Sequence, residues 1–330
     1  MAFIYNGVDI KAVVYNGVSL TQLVFNGVAV WNSGPTVGVY YGGFPGNSNT
    51  VTRINASGAL VGSETNVGTG RPQLAGAPVG NNGVYYAGGF RDAYSNQSQN
   101  GVTRINASGA LVGSETNIGT ARFGLAGAPV GNNGIYYGGS DGTAAGSDSR
   151  HVNTVTRINS TGALVGSETN VGTARRESGG ASVGDNGVYY AGGRGSSAGD
   201  PIYNLVTRIN ASGALVGSET NIGTAKMSLA GTHIGGNGVF YGGNTRTIFN
   251  MSQIVTRINA SGALVGSETN VGTGMLRQAA ASVGDIGVYY GGGSAQNPVN
   301  KVTRINASGA LVGSETNVGT ARSNFAGAGL

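Results

Sequence analysis

The sequence predicts an all-β chain in which six small four-stranded sheets close into a ring behind a short module of hairpins. Three observations predict it. The string Val-Thr-Arg-Ile-Asn recurs six times, with its arginines at Arg53, Arg104, Arg157, Arg208, Arg257 and Arg304, spaced by 51, 53, 51, 49 and 47 residues; such a period marks units that stack on one another. Each copy divides into short runs of β-branched and aromatic residues between turn residues. Finally, the last copy stops after its first strand, at Arg322 to Leu330, while the first copy begins at its second, Val37 to Gly43, so one end completes the other.

Residues 1–33 are a separate element. Phe3-Ile4-Tyr5-Asn6-Gly7-Val8, Val13-Val14-Tyr15-Asn16-Gly17-Val18 and Leu23-Val24-Phe25-Asn26-Gly27-Val28 repeat every ten residues. Asn-Gly between apolar runs is the strongest short signal for a two-residue hairpin. Three hairpins in so short a stretch are not stable alone, so this module needs a partner: the ring, sister chains or a larger assembly. Asn32-Ser33-Gly34-Pro35 reads as a linker, and residues 37–330 as the ring.

One copy illustrates the rest. Residues 179–184 read as a first strand, Asp185-Asn186-Gly187 as a tight turn and residues 188–193 as a second strand; after a loop, residues 154–158 of the preceding copy exemplify the third strand and residues 162–168 the fourth. Between the last two, Asn159-Ser160-Thr161-Gly162 is a turn that the asparagine side chain caps. A single such sheet cannot bury its faces, and right-handed twist lets six of them close. Small first-strand residues (Gly76, Gly127, Gly180, Gly231, Ala280) suit a crowded axis. The second-strand pairs Tyr40/Tyr41, Tyr85/Tyr86, Tyr136/Tyr137, Tyr189/Tyr190, Phe240/Tyr241 and Tyr289/Tyr290 hold 11 of the 15 tyrosines and would pack between sheets.

Composition narrows the chemistry. Without cysteine there are no disulfides, thiolate metal sites or cysteine nucleophiles, and two histidines, His151 and His233, cannot build a histidine-rich metal centre. No cofactor is expected. No apolar run reaches 18 residues, so membrane insertion is not expected, and the first residues, with no basic start and an early Asp9, do not read as a signal peptide.

The strand ending in Gly-Gly, the variable loop, the Val-x-Arg strand and the arginine before the next first strand (Arg71, Arg122, Arg175, Arg322) resemble the kelch repeat over residues 37–330. That resemblance implies a six-bladed β-propeller, closed here by the C-terminal strand. The chain departs from the pattern at Lys226 and Met275, which replace the arginine, and in lacking a fourth-strand tryptophan. The N-terminal Tyr-Asn-Gly-Val repeats are similar to those of tailed-bacteriophage tail and fibre proteins, which implies attachment to virion proteins or sister chains and a place on the particle's exterior.

Comparison among the copies suggests where function lies. The turns joining strands one to two and three to four are nearly invariant, whereas the opposite face differs in every copy, in its loops 44–49, 90–100, 140–153, 194–204, 244–253 and 293–301 and in the entries to the first strands. Twelve basic residues fall in those segments against five acidic ones, a face of +7 on a chain of net charge +5. The candidate ligand-binding set is therefore Arg71, Arg91, Tyr94, Arg122, Phe123, Arg150, Arg175, Arg176, Arg194, Tyr203, Lys226, Arg246, Phe249, Arg277, Lys301 and Arg322. Guanidinium groups beside exposed rings suit an anionic glycan. The leading expectation is a non-enzymatic virion protein that binds a host surface polysaccharide or receptor, with purely structural decoration as the alternative. An enzyme would need a positioned acid and base, for which only His233 and Glu177 offer themselves. Nucleic acid is not an expected partner, because the basic residues encircle a ring rather than line a groove.

Overall fold

The computed structural model describes residues 34–88, 98–142, 151–193, 201–245, 251–293 and 297–330, together with six short strands before them. The short strands pair as three antiparallel hairpins: Ile4–Tyr5 with Val8–Asp9, Val13–Tyr15 with Val18–Leu20, and Gln22–Phe25 with Val28–Asn32.

All other strands belong to six four-stranded antiparallel sheets, the blades of a β-propeller. Blade 2 comprises Ala75–Val79, Asn82–Gly88, Gln99–Asn106 and Thr116–Arg122. Blades 3 to 6 repeat it from first strands Ala126–Val130, Gly179–Val183, Ala230–Ile234 and Ala279–Val283. Blade 1 is composite. Its innermost strand, Ala326–Gly329, pairs with Val37–Tyr41 in the register Ala326↔Tyr41 to Gly329↔Gly38, and the N–H groups of Thr36 and Val37 both donate to the Leu330 carbonyl (2.7 and 2.9 Å). The first strands touch one another all the way round the axis.

Alternation along each first strand explains the packing. In blade 2, Ala75, Ala77 and Val79 are buried between sheets while Gly76 and Pro78 face the axis. A Cβ at Gly180 would lie 2.4 Å from the Gly127 carbonyl oxygen, and one at Gly127 2.7 Å from that of Gly76, so glycine lets neighbouring strands converge. The second-strand aromatics interlock across every blade boundary, edge to face at all but the tilted Tyr137–Tyr189 pair, as in Tyr41–Tyr85 (5.3 Å) and Tyr190–Phe240 (5.4 Å). Each pair contributes about 0.5–1.5 kcal/mol beyond its buried area. Where the first residue of the second-strand pair is tyrosine, it also donates across the boundary: the Tyr85 hydroxyl to Val39 O, Tyr136 to Val84 O and Tyr189 to Ile135 O, all at 2.7 Å.

Two expectations need correction. The fourth strand is not the whole of residues 162–168 but the following Thr169–Asn170, and only blade 2 extends it. Asn159 is the reason: its Oδ1 accepts from the N–H groups of Thr161 and Ala163, both at 3.0 Å, holding a wide turn that meets the third strand at the single bridge Ile158–Leu164. The second strand also starts earlier, at Asn186, which leaves Gly184-Asp185 as the two-residue turn.

Candidate functional site

The cations that enter each first strand turn inward. Arg71 (3% exposed), Arg122, Arg175, Lys226 and Arg322 (0% each) are buried between blades, which corrects their assignment to the loop surface. Strand ends in these clefts present carbonyls that need donors. Arg122 donates to the carbonyls of Gly138 and Thr154, both at 2.7 Å, and to the Thr156 hydroxyl; Arg322 makes the same three bonds to Gly42 (2.9 Å), Thr50 (2.7 Å) and Thr52. Arg175 reaches Ala191 O at 2.7 Å and Glu219 Oε1 at 3.2 Å. In blade 6, where the entry residue is the buried Met275, the cation comes from elsewhere: Lys301, on the third strand, places its ammonium 3.4 Å from Glu315. Lys301 is thus also structural.

The glutamates complete the clamps. Glu115 accepts from Thr103 of its own blade and from both the N–H and hydroxyl of Thr69 in the blade before; Glu64 does likewise with Thr52 and Thr320, closing blade 6 onto blade 1. Burial opposes ionisation of Glu64, Glu115, Glu168, Glu219, Glu268 and Glu315, but the threonine hydrogen bonds and neighbouring cations outweigh it and hold each pKa below the usual carboxylate value.

Of the remaining candidates, Phe123 is buried beneath the Arg176 guanidinium (5.9 Å). Arg176, Tyr203 and Arg277 are half-buried on the loop face. Arg91, Tyr94, Arg150, Arg194, Arg246 and Phe249 lie outside the described residues.

A feature that the sequence did not reveal sits where the axis opens on the loop face. Two residues after each entry cation, or Met275, stand Gln73, Gly124, Glu177, Ser228, Arg277 and Asn324. Their backbones join head to tail: Gln73 N–H donates to Asn324 O (2.6 Å), Gly124 to Gln73 (2.9 Å), Glu177 to Gly124 (2.7 Å), and Ser228 to Glu177, Arg277 to Ser228 and Asn324 to Arg277 (2.8 Å each). This closed ring of six hydrogen bonds forces all six residues into the left-handed region, at φ from +55° to +66°. Above a wall of Leu74, Leu125, Leu229 and Phe325, their side chains line a cavity of about 90 Å³. Ser228 donates to Glu177 Oε2, while Gln73 Oε1 and Arg277 Nε are buried without a partner among the described residues. Only Gly124 hinted at the backbone conformation in the sequence.

The other end of the axis is different. A second cavity, of about 230 Å³, is lined by glycine, alanine and proline with Ser182, Ser282 and His233, and is flanked by Pro35. His233 Nδ1 is 2.8 Å from Ser182 O and therefore carries the proton of that bond. His233 lies five residues further along its strand than Ser228, the counterpart of Glu177, about 16 Å at the usual strand rise. The two candidates for acid–base work do not meet.

No family model matches the chain, and no curated protein matches it. Among solved structures the propeller is similar to that of YjhT, with a TM-score of 0.62 and 12% identity over 86% of this chain and 97% of YjhT; at that identity the likeness concerns the fold.

Proposed function

We propose that the chain is a recognition protein on the exterior of a bacteriophage particle, a kelch-like propeller whose loop face binds a host surface glycan or receptor. The observation that carries this reading is polarity. Residues 34–37 reach the ring at the end of the axis with the invariant turns, where Pro35 O accepts from Gly284 N–H (2.7 Å), so the N-terminal hairpins are tethered on the side opposite the loops. One side attaches to virion proteins or sister chains and the other is presented outward. The scaffold supports such display, because its repeated arginines and glutamates are committed to holding blades together, leaving the loops and the axial mouth free to vary.

Labelled full-length chain should bind cell envelopes of a susceptible host, and soluble envelope polysaccharide should compete. Changing Arg176 and Tyr203 together to alanine should weaken binding at least tenfold. Equal binding by the variant refutes the loop face as the binding surface, and no envelope bound at all refutes display and leaves structural decoration as the role.

A further inference from the structure

The six-residue ring at the axial mouth carries a strain that the chain could have avoided. Wherever else a positive φ is required, glycine almost always supplies it; only eight non-glycine residues among those described adopt one, and five of them are Gln73, Glu177, Ser228, Arg277 and Asn324. Gly124 demonstrates that the ring closes equally well with glycine. Side chains held in this region against their preference mark sites where the side chain itself is needed. All five are polar, no two are alike, and they share one cavity whose buried Gln73 Oε1 and Arg277 Nε are unpaired.

From this geometry we infer that the ring is the specificity-determining subsite of the loop face, and that it takes the terminal uronic acid of an acidic glycan. The inference rests on the receptor-binding reading above. At about 90 Å³ the cup is far below the roughly 300 Å³ of a pocket that encloses a whole small ligand, so it holds one end group. Arg277 is the anchor: its two terminal nitrogens form the planar fork that grips a carboxylate through two parallel hydrogen bonds. Three places round the ring stands Gly124, the only member without a side chain, which leaves the cup open across from the guanidinium. Glu177 is occupied by Ser228 and lies 3.8 Å from Arg176 Nε, so its charge is partly answered. Gln73 and Asn324 offer amide donors and acceptors to ring hydroxyls, and the leucine and phenylalanine wall suits the C–H face of a sugar.

The test uses the full chain and two oligosaccharides that differ only in ending with glucuronic acid or glucose, titrated calorimetrically. The acid-ended sugar should bind at least tenfold more tightly, and Arg277→Gly should erase that preference without lowering the melting temperature, since glycine relieves the backbone. Equal affinity for the two sugars, no binding of either, or an unchanged preference in Arg277→Gly overturns the subsite. Envelope binding separates this from failure of the wider reading: if wild type and Arg277→Gly bind envelopes alike, the subsite is wrong and display stands. If no envelope is bound yet the glucuronate preference depends on Arg277, display fails and the subsite stands.

Discussion

Replacing Lys226 with methionine tests the buried cation clamps most directly. Lys226 is wholly buried between blades 4 and 5, with its ammonium 3.1 Å from Ile254 O and 5.6 Å from the centre of the Tyr190 ring. Burial lowers its pKa from 10.5 to about 7, and Glu268 offsets only part of that. At about 1.36 kcal/mol per unit, holding the lysine there costs about 4–5 kcal/mol at pH 7. A folded pKa below the unfolded one gives stability that is present above about 10.5 and lost as pH falls through about 7, so the contribution of Lys226 climbs across that window. With an unfolding entropy of about 2.1 cal/mol/K per residue, close to 0.6 kcal/mol/K for the ring, moving from pH 7 to 8.5 should raise its melting temperature by about 2 °C. Burial raises the pKa values of the buried tyrosines, so each loses stability as the unfolded phenol ionises near 10; at pH 8.5 that loss is only about 0.02 kcal/mol apiece, which is why the comparison stops there. Methionine already fills the equivalent place at Met275, so Lys226→Met should fold, gain stability at pH 7 and show a flat profile. Scanning calorimetry at four pH values decides it, and a wild-type profile without the rise, or the same rise in the variant, refutes the clamp account.

Three further outcomes follow from the same contacts. Phe240→Tyr should stabilise the ring by about 1 kcal/mol in urea unfolding, because Phe240 stacks on Tyr190 as its counterparts stack on theirs but lacks the hydroxyl that they donate across the boundary; a destabilised variant would mean that Val188 O is out of reach. The six clamp glutamates have depressed pKa values, so their stability is fully present above about 4.5 and lost as pH falls through the folded values; Glu64→Gln should move the acid-unfolding midpoint measured by circular dichroism, and no movement would exclude the closure clamp. Gly180→Ala should cost about 1–3 kcal/mol, as its Cβ meets the Gly127 carbonyl oxygen at 2.4 Å, and an unchanged urea midpoint would show that the axis can widen.

The propeller was legible because each of its rules is written in residue type at a fixed spacing. Val-Thr-Arg-Ile-Asn fixes the third strand, the tyrosine pair the second, and the split between Ala326–Gly329 and Val37–Tyr41 the closure. The clamp cations were misread for a physical reason. Lysine and arginine are rarely buried, and nothing local to Arg122 announces that Gly138 O, Thr154 O and Glu168 converge on it from positions 16 to 46 residues away. Their regular recurrence was the available signal, since a residue kept in register in nearly every copy serves what the copies share. The axial ring was invisible because a left-handed backbone leaves no trace in the sequence when glutamate or arginine adopts it.

The two sets of entry residues, only two positions apart, are therefore governed by opposite rules. At the clamp the side chain's chemistry is preserved and its origin may shift: arginine gives way to Lys226, or Met275 hands its charge to Lys301 and Glu315 keeps a cationic partner at 3.4 Å. At the mouth the backbone is preserved and the side chain is different at every position, with amide, carboxylate, hydroxyl and guanidinium all present. A position that served only to close the ring would settle on glycine, as Gly124 has. Variation that persists against a conformational cost, in a cavity with unpaired polar atoms, is what the proposed ligand subsite requires, and it distinguishes this mouth from loops that vary because nothing restrains them.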